Sequence, residues 1–352
     1  MAGGLLNHVA SGPLSNIIHG NPNKTFFRST YSKFSNFGLQ KFIVNHDGDT
    51  RLRMSSPKTL EFTIPRYGDL LLGTYLVIDL PNIWSGTDKS VDIPYEFQWI
   101  ENLGSQMIES VEFSCGGRVI QTLTGQYITN VVRRDFSTSK TKLFNRMTGN
   151  IPELNDPASY WGGEYPTTYR FNAKEYSVGG IYVGPEPSIR ARRLYIPLTI
   201  WWTLNPKMAF PLASMQYAEL KITVTLRPVS ELCIIRQSIT GTTISQGQSG
   251  FPELPPTEFR GAPNFNNFNQ RFQQFVVPPQ TATLSGRENV RDIITRYSPQ
   301  WNCNTHLLCT YAFLSSEEVR QFALKPQRYL TTQSFTTTYQ GLTGPQLVDI
   351  KS

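Results

Sequence analysis

Cysteine and histidine are scarce in this sequence, with four of each in 352 residues. Cys115, Cys233, Cys303 and Cys309 form no Cys-x-x-Cys pair. Five residues separate Cys303 from Cys309, a poor metal spacing even with His306 between them. This usage reads as free thiols in a reducing compartment, not as a zinc site or a disulfide framework. His8, His19, His46 and His306 have no partner at metal-ligand spacing. No nucleophile-elbow motif and no Walker-type or dinucleotide glycine loop occurs. The acidic pair Glu317-Glu318 is explained by a helix amino terminus, and Gly179-Gly180 by a turn. These absences argue against an enzyme, and no cofactor or metal is expected.

Long apolar runs and charge blocks are also missing. No stretch approaches the length that spans a bilayer. The first residues lack the charged start and apolar centre of a signal peptide. Charged residues make up 17% of the chain, and the formal charge is +7. The basic residues are scattered, as at Arg51 and Arg53, Arg133 and Arg134, Arg190, Arg192 and Arg193, and Arg287 and Arg291. A polyanion footprint needs clustering, so no specific nucleic acid is expected. One N-x-T sequon stands at Asn23.

What the chain has in plenty is turn chemistry and aromatics. Gly 26, Pro 24 and 12% aromatic residues accompany an apolar fraction of 39%. That is the balance of a turn-rich β protein, not of a helical bundle or a disordered tail. The length allows one large all-β domain or two smaller ones, either able to bury a core without disulfides.

Residues 1–25 are rich in Gly, Asn, Ser and Pro, with apolar spots at Leu5, Leu6, Ile17 and Ile18. This reads as an extended arm that orders where it docks. Strands follow over Gly38–Asn45, Thr59–Ile64 and Leu70–Leu80, the last apolar enough for burial on both faces. Helical spacing of Phe97, Ile100 and Leu103 predicts a helix within 96–106. Ile108–Ser114 and Arg118–Leu123 pair through Gly116-Gly117, because a two-residue primed turn needs positive φ. A short helix is expected over Gln126–Phe136. Residues 137–190 read as a large surface loop with one hairpin. Leu194–Leu204 alternates strongly, and Pro197 makes it an edge or bulged strand. Ala218–Leu226 alternates again. Residues 229–270 carry Gln-, Gly-, Asn- and Pro-rich segments and read as an exposed insertion. Strands resume at Phe272–Val277 and His306–Leu314. Ser315 and Glu318 form a capping box, and Tyr329–Tyr339 is a last Thr-rich strand. About eight strands with long connections fit an all-β jelly-roll sandwich of two four-stranded sheets, with long loops and a few short helices. Its core is expected at Leu60, Phe62, Leu76, Ile78, Val111, Phe113, Leu198, Ile200, Ile222 and Val224.

The opening Met1-Ala2-Gly3-Gly4-Leu5 runs through Gly20-Asn21-Pro22-Asn23-Lys24-Thr25-Phe26-Phe27 to Tyr31 and Asn36-Phe37. It resembles the amino terminus of major capsid proteins of large nucleocytoplasmic DNA viruses. Further matches follow in order. They are Gly68-Asp69-Leu70, Gly116-Gly117-Arg118-Val119-Ile120, Tyr195-Ile196-Pro197-Leu198 with Trp201-Trp202, then Pro211-Leu212, Gln216-Tyr217 and Glu219-Leu220. The close matches at Tyr311-Ala312-Phe313-Leu314, Glu318, Arg320, Phe322 and Tyr329-Leu330. The resemblance covers nearly all of this chain but only the first half of the family's pattern, which holds two consecutive jelly rolls. Either this is the amino-terminal portion of a longer protein or one jelly roll is all there is. A jelly-roll domain over 26–345 is then expected, the second being absent from this chain.

The resemblance implies a homotrimer whose jelly rolls form a pseudo-hexagonal tile in an icosahedral virion shell. It also implies contacts with neighbouring capsomers and minor capsid proteins, an internal membrane nearby, and assembly in the host cytoplasm. Two other readings stand beside it. One is a single-jelly-roll minor or vertex capsid protein. The other is a glycan-binding jelly roll, with Tyr160, Trp161, Tyr165 and Tyr169 as candidate stacking aromatics. The competing structural role for those aromatics is pinning the loop onto the sandwich.

Overall fold

The computed structural model describes residues 35–85, 95–162, 165–166, 186–215, 217–237, 263–278, 301–329 and 334. Strands β1 to β11 span Gly38–Asn45, Lys58–Thr63, Leu70–Leu80, Tyr95–Trp99, Ile108–Cys115, Arg118–Thr124, Arg192–Pro197, Phe210–Pro211, Leu220–Leu226, Cys233–Gln237 and His306–Phe313. Two sheets hold the order β1-β11-β3-β7 and β2-β9-β5-β6. The two-residue β8 adds to β3, and β10 and β4 make a separate ribbon.

Setting β4, β8 and β10 aside, the remaining strands pair first with last and inward from there. β1 pairs with β11, β2 with β9, β3 with β7 and β5 with β6, all antiparallel. That is one long hairpin, rolled so that β11 joins β3 and β9 joins β5. The result is a jelly roll. The alternating apolar residues of both sheets meet in one core. All ten core residues expected from alternation are 2% exposed or less.

Register also fixes the two ends of the sandwich. At one end Gly38 faces Phe313, Leu70 faces Ala312 and Cys115 faces Leu220. The Gly116-Gly117 turn closes this end, with φ of 58° and 79° that only glycine adopts without strain. The chain enters β1 here and leaves β11 here. At the other end Asn45 faces His306, Leu80 faces Arg192 and Ser110 faces Thr124. The three long connections, from β3 to β5, from β6 to β7 and from β9 to β11, all depart from this second end.

Five segments differ from the sequence expectation. The helix expected within 96–106 is strand β4 followed by the short helix α1, Leu103–Gln106. Phe97 and Trp99 are fully buried at a spacing of two, and the hydrogen-bonding partner β10 lies far away in sequence. The loop expected from 137 onward begins as three helices: α3, Thr138–Thr148; α4, Pro152–Asn155; and α5, Pro157–Tyr160. They follow α2, Gly125–Asp135. Pro152 and Pro157 stand in first turns, where the missing N–H costs nothing, and Ser137 caps α3 by accepting from the Lys140 amide. Residues 229–237 are not part of an exposed insertion, since Val229, Leu232, Cys233 and Ile235 are buried.

Phe272–Val276 is a helix, α6, because Phe272 and Phe275 fill the core at a spacing of three. The strand expected over 194–204 ends at Pro197. Beyond it Leu198, Thr199, Ile200, Trp201 and Trp202 are all buried, which no half-buried strand allows. A turn locks this segment: the Thr203 hydroxyl donates to the carbonyls of Leu198 and Ile200. Helix α7, Ser316–Leu324, closes the described chain beyond β11. Of the last Thr-rich strand expected over 329–339, only Tyr329 and Ser334 are described. Tyr329 lies outside any strand, and the rest falls outside the described residues.

Candidate functional site

Cys233, Cys303 and Cys309 are buried, and Cys115 is half-buried. All four cysteines are free. Burial pushes the Cys233 and Cys309 thiols up to about 12, so neither is a thiolate near neutrality. His306 Nδ1 lies 3.0 Å from the Asn304 carbonyl, and the His46 ring packs edge-on to Phe62. Among the described residues no group of three or more His, Cys, Asp or Glu side chains is placed to hold a metal ion.

Of the four candidate loop aromatics, three are described. Tyr160 and Trp161 are exposed and meet edge to face at 5.4 Å. Tyr165 is buried. Its hydroxyl donates to the Phe97 carbonyl at 2.8 Å and accepts from the Phe97 amide at 3.2 Å. Desolvation holds its pKa above the ordinary phenol value. Tyr165 offers no ring face to a sugar; it ties its connection to ribbon β4–β10. Tyr169 and the arm residues Leu5, Leu6, Ile17 and Ile18 lie outside the described residues.

Among the described residues the two outer sheet faces differ. The outer face of the β2-β9-β5-β6 sheet carries Thr59, Glu61, Thr63, Lys221, Thr223, Thr225 and Glu112. These face one another across the ladder, as where Glu61 opposes Thr223 and Thr63 opposes Lys221. That is the mostly polar exterior expected of a solvated sheet, with Val119 on the edge strand as an exposed apolar exception.

The other outer face is different. Ile43 opposes Leu308, Leu308 opposes Tyr75, and Tyr75 opposes Pro197, giving one apolar row across all four strands of the β1-β11-β3-β7 sheet. The adjacent row is Asn45, His306, Val77 and Tyr195. Leu39 and Ile43 are 58% and 57% exposed, and Phe37 at the root of β1 is 61% exposed. Lys41 stands on this face between Leu39 and Ile43, and toward the far end of β3 Arg193 grips Asp79 through two hydrogen bonds of 2.6 and 2.9 Å. Asn304 adds a third at 3.2 Å. The Arg193 guanidinium, ahead of the Asn304 bond, holds the Asp79 carboxyl below its ordinary range, against desolvation. The sequence signal for this face was the two-sided apolarity of Leu70–Leu80, which announces a strand needing cover on both faces. Alternation within β1 points to Phe42 and Val44 and leaves Leu39 and Ile43 unexplained.

The strand order defines a jelly-roll protein. The chain belongs to the major capsid protein family of large nucleocytoplasmic DNA viruses, since the family model described as "Major capsid protein N-terminus" matches residues 25–250. It is 30% identical over 246 residues to the major capsid protein of Phaeocystis pouchetii virus, covering 69% of this chain and 44% of that one. With the major capsid protein of Paramecium bursaria Chlorella virus 1 it shares 25% over 228 residues, 64% of this chain and 41% of the relative. Capsid protein 1 of Acanthamoeba polyphaga mimivirus is 29% identical over 236 residues, 66% of this chain and 36% of the relative. The chain thus spans less than half the length of these relatives. Among solved structures, VP54 of PBCV-1 superposes with a TM-score of 0.49 at 16% identity, covering 87% of this chain and 49% of that one. The Faustovirus major capsid protein gives 0.45 at 14%, covering 92% and 64%.

Proposed function

We propose that this chain is a shell subunit of a virion, assembling as a homotrimer that tiles an icosahedral capsid. The observation that carries the reading is the family match over residues 25–250, on a sandwich with an apolar outer face. A pseudo-hexagonal tile needs six jelly rolls. Three chains supply three from residues 26–345, and a second jelly roll per chain supplies the others. The two ends of the sandwich divide the work. The long connections at one end face outward. The chain enters at the opposite end, which directs the arm, residues 1–25, to the inner side of the shell. There Leu5, Leu6, Ile17 and Ile18 bury against neighbouring capsomers, minor capsid proteins or the region above an internal membrane. Each contributes about 1.5–3 kcal/mol when fully buried. The arm orders on assembly, which takes place in the host cytoplasm.

Electron microscopy of the purified protein, with sedimentation of the full chain and of a variant lacking residues 1–25, tests this. The expected result is trimeric particles for both, with shell or sheet assembly impaired in the truncated protein. Monomer at every concentration, for a chain that includes any second half, would count against the trimer. A truncated protein that fails to fold would place the arm in the core.

A glycan-binding reading has one observation in its favour, the exposed Tyr160–Trp161 pair. A glycan array compared with Trp161→Ala decides it. Binding lost in that variant alone supports it, and no binding by the parent protein ends it.

A further inference from the structure

We propose that helices α2 and α3 carry a docking surface for an anionic polysaccharide. Its outward placement rests on the capsomer reading above, whereas the charge cluster stands without it.

Charge is concentrated here. Residues 133–146 hold Arg133, Arg134, Lys140, Lys142 and Arg146 with one acid, Asp135, so five cations less one acid leave +4 of the chain's formal +7. All five cations are exposed. Asp135 is already held by Arg134 at 2.7 and 2.8 Å. Among the described residues the side chains of Arg133, Lys142 and Arg146 form no salt bridge. The fold joins the two helices into one surface. The Lys140 ammonium lies 3.9 Å over the ring of Phe136, the residue that ends α2. The Arg134 guanidinium first, and Lys140 after it, hold the Asp135 carboxyl below its ordinary range. Farther along α3 the Arg192 guanidinium donates to the Arg146 carbonyl at 3.4 Å, tying the helix to the start of β7.

Local stability does not explain these charges. Lys142 and Arg146 are like charges four residues apart on one helix, which is destabilising. Lys140 stands in a first turn that holds no acid, where the helix dipole disfavours a cation. Buried Phe144 and Thr148 anchor α3 from its opposite side, so its packing is complete without the cations. Like charge kept against local preference points to a partner of opposite sign.

Shape selects the partner. Lys140 to Arg146 extends about 9 Å along the helix axis, a stripe that suits a linear polyanion better than a single small anion. Leu143 is 58% exposed among the cations but stands alone, because Phe144 faces the sandwich. One leucine gives neither the apolar face that a bilayer surface binds nor the apolar centre of a protein interface. Exposed Thr138 and Ser139 add hydroxyls beside the cations. The stripe belongs to the connection from β6 to β7, at the end of the sandwich assigned to the outside of the shell and away from an enclosed nucleic acid.

The test uses the full chain and a fluorescent heparin fragment as the probe, titrated from about 50 to about 300 mM salt. Three proteins are compared: the parent, Lys140→Gln/Lys142→Gln/Arg146→Gln, and Arg320→Gln/Lys325→Gln/Arg328→Gln. The last removes the same charge from exposed sites in and after α7. The parent and the α7 variant should bind alike. The stripe variant should bind about 10-fold more weakly or worse, with unchanged near-ultraviolet dichroism. Its plot of log K against log salt should be shallower by about 2, at roughly 0.7 per contact removed. Should it lose its dichroism, Lys142→Gln/Arg146→Gln, which keeps Lys140 on Phe136, takes its place with a slope change of about 1.4. Equal binding by the stripe variant and the parent, or equal losses in both variants, overturns the surface. Double-stranded DNA, polyglutamate or phosphatidylserine vesicles that compete as well as unlabelled heparin, charge for charge, overturn the polysaccharide as partner. Sedimentation of the same samples separates the two readings. Trimers that bind no heparin overturn this proposal and leave the capsomer standing, whereas monomers that bind it through the stripe support the surface and overturn the capsomer.

Discussion

Truncating Phe113 to alanine tests the packing at the centre of the sandwich. Phe113 lies on β5, between β9 and β6, and is 1% exposed. Its ring meets Trp202 edge-on at 4.5 Å and Phe210 at 5.5 Å, so it joins the second sheet to the connection that follows β7. Removing roughly 150 Å² of buried aromatic surface at about 25 cal/mol/Å² loses about 3.8 kcal/mol, of which the alanine methyl restores about 1. Two edge-to-face contacts add about 0.5–1.5 kcal/mol each. The sum is about 4–6 kcal/mol. Partial collapse of Trp202 into the space brings it to the roughly 3–5 kcal/mol typical of such truncations. Against a total stability of about 5–15 kcal/mol this is a large fraction. Urea unfolding followed by tryptophan fluorescence measures it, with Ile222→Val at the facing ladder position as a graded control expected to cost about 0.5–1.5 kcal/mol. If Phe113→Ala falls within about 1 kcal/mol of the parent at an unchanged denaturant slope, the two sheets do not share the packed core described here.

Two further outcomes follow from particular residues. Gly117→Val should cost about 1–2 kcal/mol, because φ there is 79°, whereas Gly38→Val should change stability by less than about 0.5 kcal/mol, since nothing stands within 4 Å of the added carbon and φ is not positive; equal midpoints for the two in thermal unfolding would contradict the turn assignment. Asp79→Asn should lower stability by about 0.5–1 kcal/mol near neutral pH, in keeping with a partly exposed ion pair. The folded carboxyl titrates below its ordinary value, so the aspartate's advantage is full above that value and is lost as pH falls through the folded one. Urea midpoints at pH 7 and pH 3 should therefore show the parent–variant gap narrowing in acid, and a constant gap would refute the Arg193 assignment.

Features whose information is local were legible in the amino-acid sequence. Period-two burial placed Leu60 and Phe62, Val111 and Phe113, and Ile222 and Val224 in a core, because a pleated strand sends alternate side chains to one face. The glycine pair at 116 and 117 announced its hairpin, because a two-residue primed turn demands positive φ at both positions. An eight-strand tally with long connections was enough to expect a jelly roll of two four-stranded sheets.

Features that depend on partners distant in the chain emerged only from the fold. Phe97, Ile100 and Leu103 stand at helical spacing, yet Tyr95–Trp99 is a strand because Cys233–Gln237 lies beside it. Trp201 and Trp202 alternate like strand residues, yet both are buried because the chain turns after Pro197 and drives them into the core. Composition averaged over 137–190 concealed three helices, since prolines that break a helix interior also start one. The apolar outer row is the clearest case. Ile43, Leu308, Tyr75 and Pro197 come from four strands far apart in sequence, and only the registry of the sheet aligns them, because a surface is a property of neighbours that the chain does not place side by side.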